Sequence, residues 1–337
     1  MSRFPFPRYP DGWFQVAYSA ELPPGGVVPL RYFGQDLVLF RPATLGDTPN
    51  PPGTEGAAPQ VLDAFCPHMG AHLGHGGKVE GDSIRCPFHA WQFDGTGRCT
   101  AIPYAQRIPP KATVRPWQVR EVNGLIMVWY HGHGAPPSWE VPVLPESNNP
   151  EWTPYETRRW KIRTHNQEMA ENSVDIAHFR YLHGTQDMPK VLAAEPQGHV
   201  LHAVSEILMR TPMGKTSGIV DVHAHGFGFT TTRFTGIVET LLVSSATTID
   251  EEYVEIRFSF TLKKLAHKDV TLTVGKHYIA EIERQLEQDI PIWENKIYVH
   301  PPLLVEGDGP IGIYRKWCRQ FYSEGRPPAP AEVTASA

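Results

Sequence analysis

Two short blocks, Cys66-Pro67-His68 and Cys86-Pro87-Phe88-His89, each pair one thiol with one imidazole, and 17 residues separate His68 from Cys86. Two thiolates on one iron and two imidazoles on the other is the donor set of a [2Fe–2S] cluster that moves single electrons. Two Cys and two His can also build a structural zinc site. Zinc sites usually space their first pair C-x₂₋₄-C and group the two His elsewhere. Here a single residue separates Cys66 from His68, and each block holds one ligand of each kind. Gly70, Gly74, Gly76 and Gly77, with Pro67 and Pro87, make the surroundings loop-like, and glycine lets backbone N–H groups approach cluster sulfurs. His72 and His75 break the spacing, so supporting roles fit them better than ligation.

A second set of donors lies in an N-x₂-D-x₂-H-x₄-H pattern: Asn172, Asp175, His178 and His183. On a helix Asp175 and His178 are i,i+3 neighbours on one face. His178 and His183 are five apart, which splays them by about 140° on an ideal helix. Both can face one metal only if the helix is distorted or ends between them, and Gly184 favours an ending there. A surface helix with scattered histidines explains the pattern equally well when it is taken alone. A non-haem iron(II) site needs two His and one carboxylate on one face. Further on, an apolar stripe runs Ile279, Ile282, Leu286, Trp293, and Asp289 sits where it should continue. An inward carboxylate is costly unless it is paired or metal-bound. The alternative is a structural hydrogen bond at the helix end. Glu281, Glu283, Glu287 and Glu294 fall off the stripe and read as solvated.

The run from Cys66 through His72, with Cys86-Pro-Phe-His89-Ala-Trp91-Gln-Phe93-Asp-Gly95, resembles the Rieske domain of Rieske non-haem iron oxygenases. The blocks Asn172–His183 and Gln288–Lys296, the opening Pro10–Phe14, and the tail Pro302–Pro310 with Arg315–Tyr322 are similar to one branch of that family. That branch holds the 3-ketosteroid 9α-hydroxylase oxygenase components and the cholesterol 7-desaturases. The resemblance implies that Cys66, His68, Cys86 and His89 bind the [2Fe–2S] cluster and that His178, His183 and Asp289 bind a mononuclear Fe(II). It makes Asp175 the relay between a Rieske histidine of a neighbouring subunit and the iron, within a homotrimer, and puts Asn172 near the iron. It also implies O₂ as oxidant, electrons from NAD(P)H through a separate flavin/iron–sulfur reductase, and a sterol or steroid substrate. Hydroxylation, ring-methyl oxidation such as C-4 demethylation, and desaturation all begin with C–H abstraction. The rival readings are an aromatic or alkaloid-like substrate and, in another class, an electron carrier without oxygenase activity.

These residues must be positioned by 337 residues, enough for one or two domains with a sizeable core. The residues predict an α+β chain. Short strands at 13–18, 27–32, 37–40, 61–65 and 125–130 suggest a small antiparallel β-domain, and the Pro/Gly-rich stretch 48–60 a loop. Residues 131–150, with five prolines, read as a linker. A strand near 156–163, a helical stretch over about 167–182, β-rich segments including 230–242 and 253–262, and a helix over about 279–293 follow. This gives a Rieske domain at 1–148, a catalytic domain at 149–325, for which the family implies a helix-grip (START-like) form with a curved antiparallel sheet, and a flexible tail at 326–337. Phe227, Phe229 and Phe234 could line its cavity, though plain core is the commoner fate of buried Phe.

Net charge is −5 and the isoelectric point near 6.3, which gives no hint of nucleic-acid binding. The N-terminus lacks an apolar core of the signal-peptide kind, and the longest apolar run, Leu125–Tyr130, is far short of a membrane span. A cytoplasmic protein is expected. Cys99 and Cys318 are expected to be free thiols in a reducing compartment. No flavin or nicotinamide fingerprint and no four-Cys plant-type spacing is present, so the reductase must be another chain.

Overall fold

The computed structural model describes residues 3–43, 57–185, 187–211, 214–236, 238–266 and 268–323. The expected loop at 48–60 falls mostly, and the expected tail at 326–337 wholly, outside the described residues. No described helix is long and apolar enough to cross a membrane.

The N-terminal part contains β1 (Gly12–Tyr18), β2 (Val27–Tyr32), β3 (Gln35–Phe40), β4 (Gln60–Asp63), β5 (Lys78–Glu80), β6 (Ser83–Arg85), β7 (Gln92–Phe93), β8 (Cys99–Ala101), β9 (Val119–Val122) and β10 (Leu125–Tyr130). They form three antiparallel sheets, ordered β1-β10-β9, β2-β3-β4 and β5-β6-β7-β8. β10 explains how the two halves of the chain are joined. All six of its residues are buried, and strand alternation sends them to two different cores. Ile126, Val128 and Tyr130 pack with Phe14, Leu37, Val61 and Trp117. Leu125, Met127 and Trp129 pack with Trp13, Phe229, Leu241 and Val243 of the second half.

The second part contains β11 (Glu156–Ile162), α1 (Asn166–Ala170), α2 (Ala177–Tyr181), β12 (Lys190–Gln197), β13 (Val200–Thr211), β14 (Gly214–His225), β15 (Phe229–Phe234), β16 (Thr240–Thr248), β17 (Val254–Leu262), α3 (Lys268–Asn295) and α4 (Ile311–Cys318). One seven-stranded antiparallel sheet, ordered β11-β17-β16-β15-β14-β13-β12, carries α3 on one face. Ile279 packs with Leu242, Phe260 and Leu262, and Leu286 and Trp293 pack with Ile162 and Ile256. This is the α+β architecture expected.

Several elements differ from expectation. The stretch 167–182 is not one helix: α1 runs into a 3₁₀ turn at Glu171–Ser173, and α2 starts afresh at Ala177. Asp175 is the cause, since its Oδ1 accepts from the backbone N–H of Ala177 (3.1 Å) and His178 (3.4 Å) and so caps a new helix. α3 begins at Lys268, well before residue 279. Thr271, Thr273 and Gly275 are poor helix formers, and packing overrides them: a Cβ on Gly275 would come within 3.1 Å of Leu262 Cδ2. The segment 230–242 splits into β15 and β16, turned at Gly236 (φ +113°). The expected linker 131–150 has no regular elements but is a packed strap. Trp139, Val141 and Leu144 join the shared core, and the indole N–H of Trp13 and of Trp129 donates to the carbonyls of Trp139 (2.7 Å) and Ala135 (2.9 Å).

Candidate metal centres

The two Cys/His blocks fold into a pair of equivalent loops. Cys66 N–H donates to Ala71 O and Gly70 N–H to Cys66 O, both at 2.9 Å. In the other loop Cys86 N–H donates to Trp91 O (2.7 Å) and Ala90 N–H to Cys86 O (3.1 Å). Each loop turns through a left-handed residue, Gly70 (φ +73°) and Ala90 (φ +60°). The spacing C-x-H against C-x₂-H is thus absorbed within two matching turns. Both cysteines are buried as free thiols, and the rings of His68 and His89 lie 4.6 Å apart. His68 stacks on Trp91 (4.7 Å, 10°), and its Nδ1 is buried without a hydrogen-bond partner among the described residues. Burial pushes the Cys66 thiol up to about 11, the reverse of what an isolated reactive cysteine needs. A buried thiol pair beside two imidazoles, one with an orphaned nitrogen, fits a group that supplies positive charge and ligand bonds to both.

His72 and His75 have partners of their own. His72 Nδ1 accepts from Gly74 N–H (3.0 Å), and its ring packs on His75 and on the edge of Phe65. Cys99 and Cys318 are free, and Cys318 is fully buried against Tyr314 and Trp317.

The second donor set converges from two elements far apart in sequence. His178 projects from α2, His183 follows its end, and Asp289 comes from α3. One ligand atom from each lies within 4.8 Å of the others, and His183 Nε2 is 3.6 Å from Asp289 Oδ1. The ending between the two histidines is real: α2 stops at Tyr181 and Gly184 turns through φ +74°. Each imidazole is held by its other nitrogen. His178 Nδ1 meets the Asp175 carbonyl at 2.6 Å, and His183 Nδ1 meets Gln288 Oε1 at 3.1 Å. Both Nε2 atoms are therefore turned to the shared point. Burial pushes the Asp289 carboxyl up to about 7, against the charge of His178 and a hydrogen bond from Asn172. A cation at that point is what would keep a carboxylate ionised there. Burial likewise lowers the pKa of His183, keeping its imidazole in the neutral, ligating form.

A Rieske [2Fe–2S] domain model matches residues 12–117, and a model of the 3-ketosteroid 9α-hydroxylase C-terminal domain matches residues 128–322. The chain belongs to the Rieske oxygenases of the 3-ketosteroid 9α-hydroxylase family. A cholesterol 7-desaturase of Xenopus laevis is 32% identical over 95% of this chain and 73% of its own. The oxygenase component of a 3-ketosteroid-9-alpha-monooxygenase of Rhodococcus rhodochrous is 31% identical over 94% of this chain and 82% of its own. Among solved structures, dicamba monooxygenase bound to dicamba superposes with a TM-score of 0.72 at 16% identity over 92% of this chain and 96% of its own. NdmA of Pseudomonas putida CBB5 with caffeine gives 0.69 at 21% over 91% and 89%. At those identities the structures speak for the fold alone.

As a Rieske oxygenase the protein works with a [2Fe–2S] cluster and a mononuclear iron. The three converging side chains open onto a cavity of about 1080 Å³ between α3 and the large sheet. Its wall is mainly apolar, with Ile176, Val222, Phe234, Leu242 and Phe258, and His178, His183 and Asp289 stand in it. Of the three phenylalanines expected as pocket or core, Phe227 and Phe234 line the oxygenase cavity, and Phe229 is fully buried in the shared core.

One expectation about acids is corrected. Glu283 and Glu294 are half-buried rather than solvated: Glu283 pairs with Arg158, and Glu294 accepts from the backbone N–H of Arg163 (3.3 Å). The Asp175 carboxylate hydrogen-bonds the backbone of His178 rather than its ring: Oδ1 accepts from the His178 N–H at 3.4 Å. Oδ2 is 3.7 Å from His178 Nδ1, and the contact is made by the Asp175 backbone carbonyl. The carboxyl group is about one-third exposed. Burial raises its pKa, but the hydrogen bond and charge of His178 and the N–H of Ala177 outweigh this and hold it below the ordinary range.

Sequence reasoning assigned no role to Gln288, Glu171 or Arg315. Arg315 of α4 forks onto Glu171 (2.6 and 2.9 Å), fixing the turn that carries Asn172. Asn172 Oδ1 accepts from the Trp293 indole at 3.4 Å. Position beside Asp289 was the signal available for Gln288; for the Glu171–Arg315 pair, 144 residues apart, sequence held none.

Proposed function

We propose that the protein is the terminal oxygenase component of a two-component system that oxidises an unactivated C–H bond of a sterol or steroid. The observation that carries this is a large apolar cavity with His178, His183 and Asp289 in its wall. Such a volume suits a rigid polycyclic ligand better than a small aromatic one. The relatives named for cholesterol and for 3-ketosteroids, each matched over most of its length, support the same class.

In this reading His178, His183 and Asp289 hold the iron, and Cys66, His68, Cys86 and His89 hold the cluster. Iron held there would supply O₂ activation, and the cluster would supply single electrons. The chain does the rest by position. Asp175 and Gln288 fix the tautomer of each imidazole, so that both Nε2 atoms present lone pairs. The apolar wall excludes water and holds the substrate against the site. Asn172, hydrogen-bonded to Asp289, orients that carboxylate.

A homotrimer completes the electron path. Phe65, Met69, Phe88 and Tyr104 around the cluster loops are more than half exposed. So are Leu303 and Val305, in a loop whose Gly309 lies against the Val174 carbonyl beside Asp175. Apolar patches of this kind at the tip of one domain and beside the relay acid of the other support subunits that cover one another. Asp175, partly exposed, would then receive a histidine of the next subunit's cluster. The functional division falls at residue 148/149, with the packed strap holding the two domains in fixed relation.

Incubation with a reductase, NAD(P)H, O₂ and a panel of sterols and 3-ketosteroids, read by mass spectrometry, tests the proposal. Gain of one oxygen atom identifies hydroxylation, and loss of two hydrogens desaturation. An unchanged panel, with iron and cluster in place, sinks the steroid reading.

A further inference from the structure

A second constellation of two histidines and one acid lies away from the catalytic site. His202 of β13 and His223 of β14 are cross-strand partners, and Asp221 is two residues before His223 on the same strand face. The two rings stack at 4.2 Å with 17° between planes. His202 Nε2 lies 2.9 Å from Asp221 Oδ1, and His223 Nδ1 lies 3.4 Å from the same oxygen. The three donor atoms fall within 4.8 Å of one another.

Strand alternation separates this group from the cavity. Ala203 and Ser205 of β13, and Val222 and Ala224 of β14, line the cavity. His202, Asp221 and His223 therefore point from the opposite face of the same sheet. Each side chain is about one-third exposed.

A hydrogen-bonded His–Asp pair accounts for only part of this. Asp221 satisfies His202, yet His223 Nδ1 is buried without a hydrogen-bond partner among the described residues, although it faces the same carboxylate. An orphaned buried ring nitrogen is costly unless something else occupies its lone pair. The neighbouring cation does not neutralise Asp221. Arg233, its partner in register on β15, is committed to Glu146 at 2.9 and 3.3 Å.

We propose that His202, Asp221 and His223 form a second mononuclear metal site that takes Zn²⁺, with solvent completing a tetrahedron. Two imidazoles and one carboxylate are a zinc donor set, and a position left open to water matches their exposure. The ion would staple the β13–β14 hairpin from outside while the inner face of that hairpin walls the substrate cavity. Its role is therefore bracing rather than chemistry.

The test uses holoenzyme with cluster and iron in place, titrated with Zn²⁺, desalted, and assayed for zinc and iron in the same sample. One zinc per chain should be retained with the iron count unchanged, and the melting temperature should rise with zinc concentration. His202→Ala and His223→Ala should each weaken zinc binding by more than about 100-fold, beyond the loss seen on removing an outer-shell partner. Both should abolish the zinc-dependent rise in melting temperature while keeping the cluster spectrum and basal turnover. Should either variant fail to fold, Asp221→Asn, which preserves size, gives the same readout. Zinc taken up only at the expense of iron, or retained equally by wild type and variants, overturns the proposal.

Discussion

Gln288 Oε1 lies 3.1 Å from His183 Nδ1, so the residue preceding one expected iron ligand orients another that is 105 positions away in the chain. Asp289 and Gln288 are adjacent on α3, and their side chains reach the same imidazole from its two nitrogens. The helix thus supplies a ligand and the lock for its neighbour in one turn. Gln288→Leu keeps the volume and removes the lock. Iron affinity at the mononuclear site should fall about 10- to 100-fold, the usual cost of losing such a partner. Iron analysis alongside the cluster's visible spectrum checks this, since the cluster content should not change.

Asp175 performs two separable tasks. Its Oδ1 caps α2, and its exposed side faces outward, where the trimer model needs an acceptor for a neighbouring histidine. Asp175→Asn retains a capping oxygen but loses the charge. Both metal centres should remain filled, and turnover should fall by at least about 100-fold. Single-turnover reduction of the iron by a pre-reduced cluster is the deciding measurement; normal electron transfer would remove Asp175 from the path.

Much of this was legible in the residues, for identifiable reasons. The candidate cluster ligands stand out because soft donors beside Pro and Gly at short spacing have few structural uses. Asp289 showed because it broke an apolar stripe, and it is buried where the stripe predicts. The interruption of the 167–182 helix was half visible, through Gly184 and the 140° splay. The other half, Asp175 capping α2, was hidden because an Asp inside an apparent helix looks like an ordinary exposed acid. The strap at 131–150 looked like a linker because its prolines mask packing by Trp139, Val141 and Leu144. Long-range locks such as Gln288–His183 leave no local signature.

The buried His165 sets an acid limit on stability. Burial pushes it down to about 4 among Phe4, Phe6 and Tyr322, while its Nδ1 accepts from Gln167 N–H at the start of α1. Its folded pKa lies below the unfolded value of about 6.5, so the unfolded chain binds the proton first as pH falls. The contribution is intact above pH 6.5 and is lost progressively towards pH 4, reaching about 3 kcal/mol. His165→Asn keeps a capping acceptor without the titration. Denaturation midpoints across this window should slope less steeply in the variant.

Arg315 and Glu171 form a fork with both side chains largely buried. Removing Arg315 leaves buried Glu171 dependent on Lys296, 3.9 Å away, and breaking a buried pair costs more than the pair itself contributes. Arg315→Met should destabilise the fold by about 3 kcal/mol, and the double variant with Glu171→Gln by less. A double-mutant cycle in denaturant measures the coupling. The Glu171 turn carries Asn172, so iron occupancy should drop in the single variant even at temperatures where the fold persists.

The large sheet forms one wall of the cavity, and cross-strand partners offer a way to change its volume away from the candidate metal ligands. Val222 of β14 and Thr232 of β15 are paired in register, and both line the cavity. A larger side chain at either position projects into open volume, so stability should change little. Val222→Phe should displace a polycyclic ligand from its seat at a cost of about 1–3 kcal/mol in binding, the range for forced overpacking. That corresponds to a KM about 5- to 140-fold higher, since each 1.4 kcal/mol is tenfold. Cluster and iron content should match wild type, and kcat at saturation should fall less than KM rises. A variant that loses kcat alone would mean that Val222 lies off the path of the substrate and that the ligand seats elsewhere along the wall. Thr232→Phe, entering from the next strand, then locates that seat by whether it raises KM for the large substrates and spares the small ones.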